Sequence, residues 1–198
     1  MKGAKRLGIR LGNWLTPMPG NKLLNAPDRT SVKGKRDLVM LAVLLGCGLC
    51  RSEVTRLSVS HLQQRDDHWA IIDLFGKGGH VRTVPVPAWA KSSIDGWLAI
   101  AGVEAGLIFR CVTRTGHVWG EGITEKVAWW VIRECAKLAG IDNLAPHDLR
   151  RTCARICHPA GGERTDSVPT RSPLSGNHRT VHGFAAKIGA GGQRSPRD

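Results

Sequence analysis

The sequence predicts a mostly helical α+β domain with a small β-hairpin sheet, followed by a disordered C-terminal tail. Leucines recur at helical spacing in residues 33–50, and apolar residues do so again in residues 125–139. Between these helices, two strand-like segments, 68–75 and 80–86, flank a glycine-rich turn at residues 76–79. A chain of 198 residues is long enough to build one hydrophobic core from these elements.

The first two helices follow a basic lead-in at residues 1–13. Pro17, preceded by a threonine that can cap a helix, is typical of a helix start, so a short helix is expected over residues 14–26. Polar residues open the helix at 33–50, and Ser52 is predicted to cap the next helix.

The C-terminal half is predicted to contain three helices. Residues 88–101 are expected to pack across the hairpin. Thr124 caps the helix at 125–139, and Gly140 ends it. The last helix is expected over residues 146–158, because its opening proline suits a first helical turn.

The overall charge indicates a nucleic-acid partner. The chain has 29 Lys and Arg against 16 Asp and Glu, a formal net charge of +13. Basic residues gain free energy by displacing counterions from phosphates. No segment approaches the ~18 apolar residues of a membrane span, and residues 1–13 lack the apolar core of a signal peptide. We therefore expect no membrane partner and a cytoplasmic location.

The six cysteines are expected to be reduced thiols. Cys47 and Cys50 form a CxxC pair, and Cys153 and Cys157 precede His158. A zinc site needs four convergent ligands at suitable spacing, whereas a CxxC inside an apolar helix is more often coincidental. We predict no metal and no redox function.

The last predicted helix carries the strongest chemical signal. His147 and Arg150 are three residues apart and therefore lie on one side of a helix. An imidazole beside a guanidinium suits an oxyanion, although a helix start with a solvated arginine gives the same pattern. The packed side of this helix is predicted to consist of Leu149, Ala154 and Ile156.

Three segments, in this order, resemble the tyrosine recombinase (phage integrase) family. Residues 44–57 resemble its first conserved box, residues 76–87 its hairpin with a catalytic lysine, and residues 146–152 its second box. The resemblance covers about residues 10–163 and implies a catalytic domain over residues 14–162. It also implies cleavage of one strand of double-stranded DNA through a 3′-phosphotyrosine, with no cofactor.

The family's functional residues map onto specific positions. The resemblance assigns catalysis to Lys77, His147 and Arg150, with Glu53 as a supporting acid. It implies that Lys77 reaches the minor groove and protonates the leaving 5′-oxygen, which a lysine can do if its pKa is lowered. Contacts to DNA are predicted for Lys77, Arg51, Arg82, Arg151 and Arg155.

Three family groups are missing: the tyrosine nucleophile, the third-box histidine and the first-box arginine. The sequence contains no tyrosine, so the nucleophile is absent. The family pattern Gly-Leu-Arg-x-x-Glu reads Gly-Leu-Cys-Arg-Ser-Glu at residues 48–53, which puts Cys50 at the arginine position. A thiol cannot replace a bidentate cation at a phosphate. Arg51 would lie about 100° further round a helix, so we do not expect it to substitute.

Residues 163–198 are rich in Gly, Ser, Thr, Pro and Arg, a composition typical of disorder. A natural basic tail is one explanation; a reading-frame shift near its start is the leading hypothesis. If third codon bases are free and one nucleotide is dropped before Asp166, residues 166–183 read IQFLLGHLSVETTERYMG. This string resembles the family's third box and nucleophile segment, with a tyrosine codon across residues 181–182.

Three functions are consistent with these observations. The first is a catalytic domain of a recombinase that inherits DNA integration and recombination but is inactive in this chain. The alternative is a non-catalytic DNA-binding module that occupies recombination sites or joins other recombinase protomers. The third is a nicking enzyme like a type IB topoisomerase, which also needs a tyrosine. Family members carry a core-binding domain before the catalytic domain. We therefore expect either that the start of the gene was assigned too late or that this chain is a fragment of a longer protein.

Overall fold

A computed structural model describes residues 14–76 and 79–157. The basic lead-in, Lys77 with its neighbouring glycine, and the tail from residue 158 lie outside the described residues. The predictions of a disordered tail and of a lysine at the DNA minor groove therefore stay predictions.

Helices make up about half of the described chain. The α-helices are α1 (Pro17–Leu24), α2 (Val32–Gly46), α3 (Arg51–Thr55), α4 (Ala88–Ala101), α5 (Glu125–Leu138) and α6 (Pro146–Cys157), with a 3₁₀ turn at Val59–His61. The strands are β1 (Leu62–Arg65), β2 (His68–Phe75), β3 (Val81–Val86), β4 (Cys111–Val112) and β5 (Val118–Trp119). The predicted α+β class, mostly α with a hairpin sheet, is confirmed.

The sheets are small and antiparallel. Strands β1, β2 and β3 form one sheet in that order, and β4 pairs with β5 in a second. Strand β3 is an edge strand, which lets it contain Pro85, a residue with no N–H to donate. Strands β1, β4 and β5 were not predicted from the sequence.

Helix α2 is the centre of the core. Its residues 39–45 are all buried, and α1, α3, α4, α5 and α6 all contact it. Seven consecutive buried residues point to every side of α2, so this part of the helix is in apolar contact all round, as in a fully buried core helix.

The predicted boundaries differ most after α2. This helix ends at Gly46, not at residue 50, and Gly48 takes a left-handed φ of 61°. A Cβ at Gly48 would lie 3.1 Å from the Cys153 Sγ on α6, so a side chain there is both strained and crowded. This turn makes Cys50, not the predicted Ser52, the N-cap of α3.

The predicted packed side of α6 is partly wrong. Leu149, Thr152 and Cys153 are buried, Ile156 is half-buried, and Ala154 is exposed. The buried positions follow the i, i+3, i+4 spacing of one helix face, and Ala154 is out of phase with it. Thr152 also accepts a hydrogen bond from the Leu15 backbone N–H at 2.9 Å, which joins the start of the described chain to α6.

A buried ion pair on α2 gives a first stability prediction. The Arg36 side chain is 4% exposed, and its Nη2 lies 2.6 Å from the Asp37 Oδ1. Asp37→Ala should lower the free energy of unfolding by about 3–5 kcal/mol, because it leaves the Arg36 charge buried and uncompensated. Urea denaturation measures the loss.

Lys33→Ala is the matched control, since Lys33 pairs with the same carboxylate from a side chain that is 41% exposed. Exposed ion pairs contribute little, so its loss should be under ~1 kcal/mol. Equal losses for the two variants would contradict the importance of the buried Arg36 charge.

Candidate nucleic-acid interface

Glu53 organises the candidate site from a buried position. It is the third residue of α3, and its Oε2 accepts the Cys50 backbone N–H at 2.7 Å. This return contact is half of a capping box, which satisfies a backbone donor that a helix start leaves unpaired. The Glu53 side chain is only 4% exposed, so its charge requires partners.

Two arginines from distant elements supply those partners. Arg82 on β3 donates twice to Glu53, from Nη1 to Oε1 at 2.6 Å and from Nη2 to Oε2 at 2.9 Å. Arg150 on α6 approaches the same Oε2 with its Nη1 at 3.5 Å. One carboxylate therefore links α3, the hairpin and α6.

The pKa of Glu53 reflects these opposing effects. Burial alone would raise the pKa, but the hydrogen bonds from Arg82 and from Cys50 outweigh it and hold the pKa below the ordinary value of 4.5. Above pH 4.5 the Glu53 carboxylate is therefore ionised and supplies a counter-charge to the two arginines.

A pH dependence of stability follows from this lowered pKa. Glu53 contributes stability that is complete above the unfolded-state pKa of 4.5 and is lost as the pH falls through the lower folded-state value. Glu53→Gln should flatten this part of the curve of unfolding free energy against pH, measured by urea denaturation from neutral pH to about pH 3. If the unfolding free energy of Glu53→Gln falls as steeply at acid pH as that of the wild type, the ion pairing of Glu53 is contradicted.

Helix α6 presents the predicted His147–Arg150 pair to solvent. The buried Asp148 accepts the Ala145 N–H at 2.9 Å through Oδ2, which fixes the start of the helix. With Asp148 and Leu149 facing inward, His147 is exposed and the Arg150 side chain is 42% exposed. Both side chains can therefore meet an external anion.

Cys50 is half-buried at the N-cap of α3, and its Sγ lies 3.1 Å from the Ser52 Oγ. Its backbone is extended, with a ψ of 170°, and α3 begins only at Arg51. The expected 100° offset between Cys50 and Arg51 round one helix is therefore wrong, because Cys50 precedes the helix.

The part of the chain that the structure describes brings no group of three His, Cys, Asp or Glu residues together as metal ligands.

The other predicted DNA contacts have different surroundings. The Arg82 guanidinium is engaged by Glu53, and Arg151 lies 3.5 Å from Asp148 while 54% exposed. Arg155 stacks over the Trp14 ring at 4.2 Å from its centroid. Arg51 is half-buried at the start of α3. Their roles at DNA stay predictions.

The pairing of Arg82 with Glu53 was not recognised from the sequence, although a signal exists. Alternate residues of a strand share a face, and Arg82 lies on the same face of β3 as the half-buried Val84 and the buried Val86. An arginine on an inward face needs hydrogen-bond acceptors, and a carboxylate is the strongest of them. The pattern alone does not identify which acid, because Glu53 is 29 residues away.

Comparisons with known proteins agree on one family. The model of the phage integrase family matches residues 13–162. The tyrosine recombinase XerD of Pseudomonas putida is 31% identical over 156 residues, which cover 75% of this chain and 49% of that protein. XerD of Neisseria meningitidis serogroup B is 28% identical, covering 71% and 47%. The chain thus spans about half the length of these relatives.

Solved structures show the same fold. XerH site-specific recombinase bound to a palindromic difH substrate matches with a TM-score of 0.61 and 19% identity, covering 76% of this chain and 43% of that one. XerA recombinase matches with a TM-score of 0.56 and 19% identity, covering 77% and 51%. No helix within residues 14–76 and 79–157 is long and apolar enough to cross a membrane.

Proposed function

Because this chain belongs to the phage integrase family of tyrosine recombinases, we propose that it binds double-stranded DNA with the face that carries His147 and Arg150, and that Lys77, which lies outside the described residues, also contacts the DNA. The observation that carries this proposal is the half-exposed Arg150 guanidinium, backed by the buried Glu53 carboxylate. The pair of arginines and the one carboxylate sum to a single positive charge. An exposed arginine in such a cluster suits a phosphate oxygen.

We further propose that the chain holds DNA without cutting it. Cleavage of a phosphodiester by this family's chemistry needs a tyrosine hydroxyl as nucleophile, and the chain has none. Cys50 stands where the family has an arginine, and the third-box histidine is also missing, so the developing phosphate charge loses two stabilisers. Recombination and integration are thus the functions of the family from which this chain derives. The proposed function of the chain itself is to bind DNA in the cytoplasm without cutting it.

A role beside active recombinase protomers is consistent with the relatives. Structurally similar proteins include XerH recombinase bound to a palindromic difH substrate and a lambda integrase dimer bound to a core site. For this chain, we propose that other recombinase protomers are partners at such sites. Co-binding of this chain and an active relative to one DNA tests this partnership.

The binding proposal is tested by fluorescence anisotropy with a labelled duplex at increasing salt. The logarithm of the association constant should fall linearly with the logarithm of salt concentration, by about 0.9 for each phosphate contacted. No binding at low salt, or an association constant that does not change with salt concentration, would contradict the proposal.

A further inference from the structure

Three of the four donors around Glu53 meet at the same oxygen, Oε2. An ionised carboxylate offers about four lone-pair sites. Three are occupied at short range, two by Arg82 and one by the Cys50 N–H. Arg150 makes the longest contact, at 3.5 Å, to an oxygen that already accepts two hydrogen bonds.

From this geometry we infer that Arg82 is a positioning residue that keeps Arg150 available to an external phosphate by satisfying Glu53. The inference rests on the proposed function only in naming DNA phosphate as the anion. It differs from the prediction that Arg82 itself contacts DNA. Arg82 acts through Glu53, and the residue that meets the phosphate is Arg150.

Burial explains why Arg82 suits this task better than Arg150. The Glu53 side chain is 4% exposed, the Arg82 side chain 30% and the Arg150 side chain 42%. The bidentate pair from Arg82 is the strong, directional geometry for a guanidinium and a carboxylate. Arg150 is the more solvent-exposed of the two arginines and retains N–H groups for another ligand.

Charge leads to the same conclusion. With both arginines present, the cluster of Glu53, Arg82 and Arg150 has one net positive charge. Without Arg82 the net charge is zero, and the buried carboxylate has one remaining cation. Because an uncompensated buried charge is costly, Glu53 would draw Arg150 inward into a direct ion pair. Both the position and the charge of the anion site would then be lost.

Arginine-selective modification by phenylglyoxal tests the inference without DNA. Arg150 should be modified about tenfold more slowly in Arg82→Met than in wild type, the factor expected when a guanidinium enters a charge-assisted hydrogen bond. Peptide mass spectrometry gives the rate at each arginine. Arg151, on the same helix and 54% exposed, serves as the internal control and should keep its rate.

Two companion variants separate positioning from a structural role. In a Glu53→Gln background, Arg82→Met should leave the Arg150 rate unchanged, because no carboxylate remains to draw Arg150 inward. Arg82→Lys retains a cation at Glu53 and should restore much of the wild-type Arg150 rate. The inference is wrong if Arg150 reacts equally fast in wild type and Arg82→Met, or if Arg82→Met slows it equally in the Glu53→Gln background.

Duplex binding then distinguishes this inference from the proposed function. Arg82→Met should lower the salt slope of binding by about 0.9, and it should do nothing further in an Arg150→Ala background. Additive losses would identify Arg82 as a direct phosphate contact and overturn the inference. If the wild-type chain does not bind duplex at all, the proposed function fails, while the phenylglyoxal rates still decide the role of Arg82.

Discussion

A chain with Cys50→Arg and with residues 166–183 replaced by IQFLLGHLSVETTERYMG should form a covalent adduct with DNA. The replacement supplies a tyrosine, which the natural sequence lacks, and the substitution supplies the missing first-box arginine. The expected adduct is a phosphotyrosyl bond to a 3′ phosphate, formed as the 5′-oxygen leaves. Denaturing gels with a nicked duplex pool of randomised sequence detect the adduct without knowledge of the target site.

Each single change serves as a control for the other. The replaced tail alone restores the nucleophile, and its adduct should form ~10²–10³-fold more slowly than with both changes, since one charge-stabilising donor is still missing. Cys50→Arg alone should give no adduct. An adduct from Cys50→Arg alone would mean that the chain contains another nucleophile, and no adduct with both changes would contradict the prediction that these two changes restore cleavage.

Arg150→Ala should produce the largest loss of DNA affinity among single substitutions of described residues at the site. Arg150 is half-exposed and backed by Glu53, so its removal should reduce the salt slope of duplex binding by about 0.9. Arg150→Lys is the matched variant. It should keep the slope, because the charge remains, and lose part of the affinity, because the bidentate fork is gone.

Anisotropy titrations at several salt concentrations measure both quantities for the two variants. Circular dichroism checks that each variant keeps the helical fold. A wild-type salt slope in Arg150→Ala would show that Arg150 does not contact phosphate and would remove the observation on which the proposed binding face depends.

The sequence predicted the helical framework well because its signals are local. Leucine periodicity in α2, the Thr124 cap of α5 and the proline that opens α6 each act within a few residues. The hairpin was predicted for the same reason. Short strands such as β4 and β5, two residues each, carry too few side chains to show a period.

The errors arose where tertiary contacts decide local structure. Gly48 turns the chain with a left-handed φ, and a Cβ there would crowd the Cys153 side chain on α6; this close approach is invisible in the local sequence. The N-cap of α3 is therefore Cys50 and not the predicted Ser52. The charge network of the site was missed for a similar reason, since Glu53 and Arg150 are 97 residues apart.

The frame hypothesis can be examined directly at the nucleic-acid level. Resequencing the gene from codon 140 to well past its stop should reveal, in the shifted frame, codons for the Gly-His pair and the tyrosine. If the shift is real, the tail is a frameshift product. If the gene has no such frame, the tail is genuine and the non-catalytic DNA-binding module becomes the only function to pursue.

The most direct test of the central claim compares native and denaturing gels of one binding reaction. The wild-type chain is incubated with the nicked duplex pool, and half of the sample is denatured with detergent. We predict a retarded protein–DNA band on the native gel and no protein attached to DNA after denaturation, because the chain binds duplex but has no tyrosine to attack it. A detergent-resistant adduct, or no retarded band on the native gel, would contradict the account.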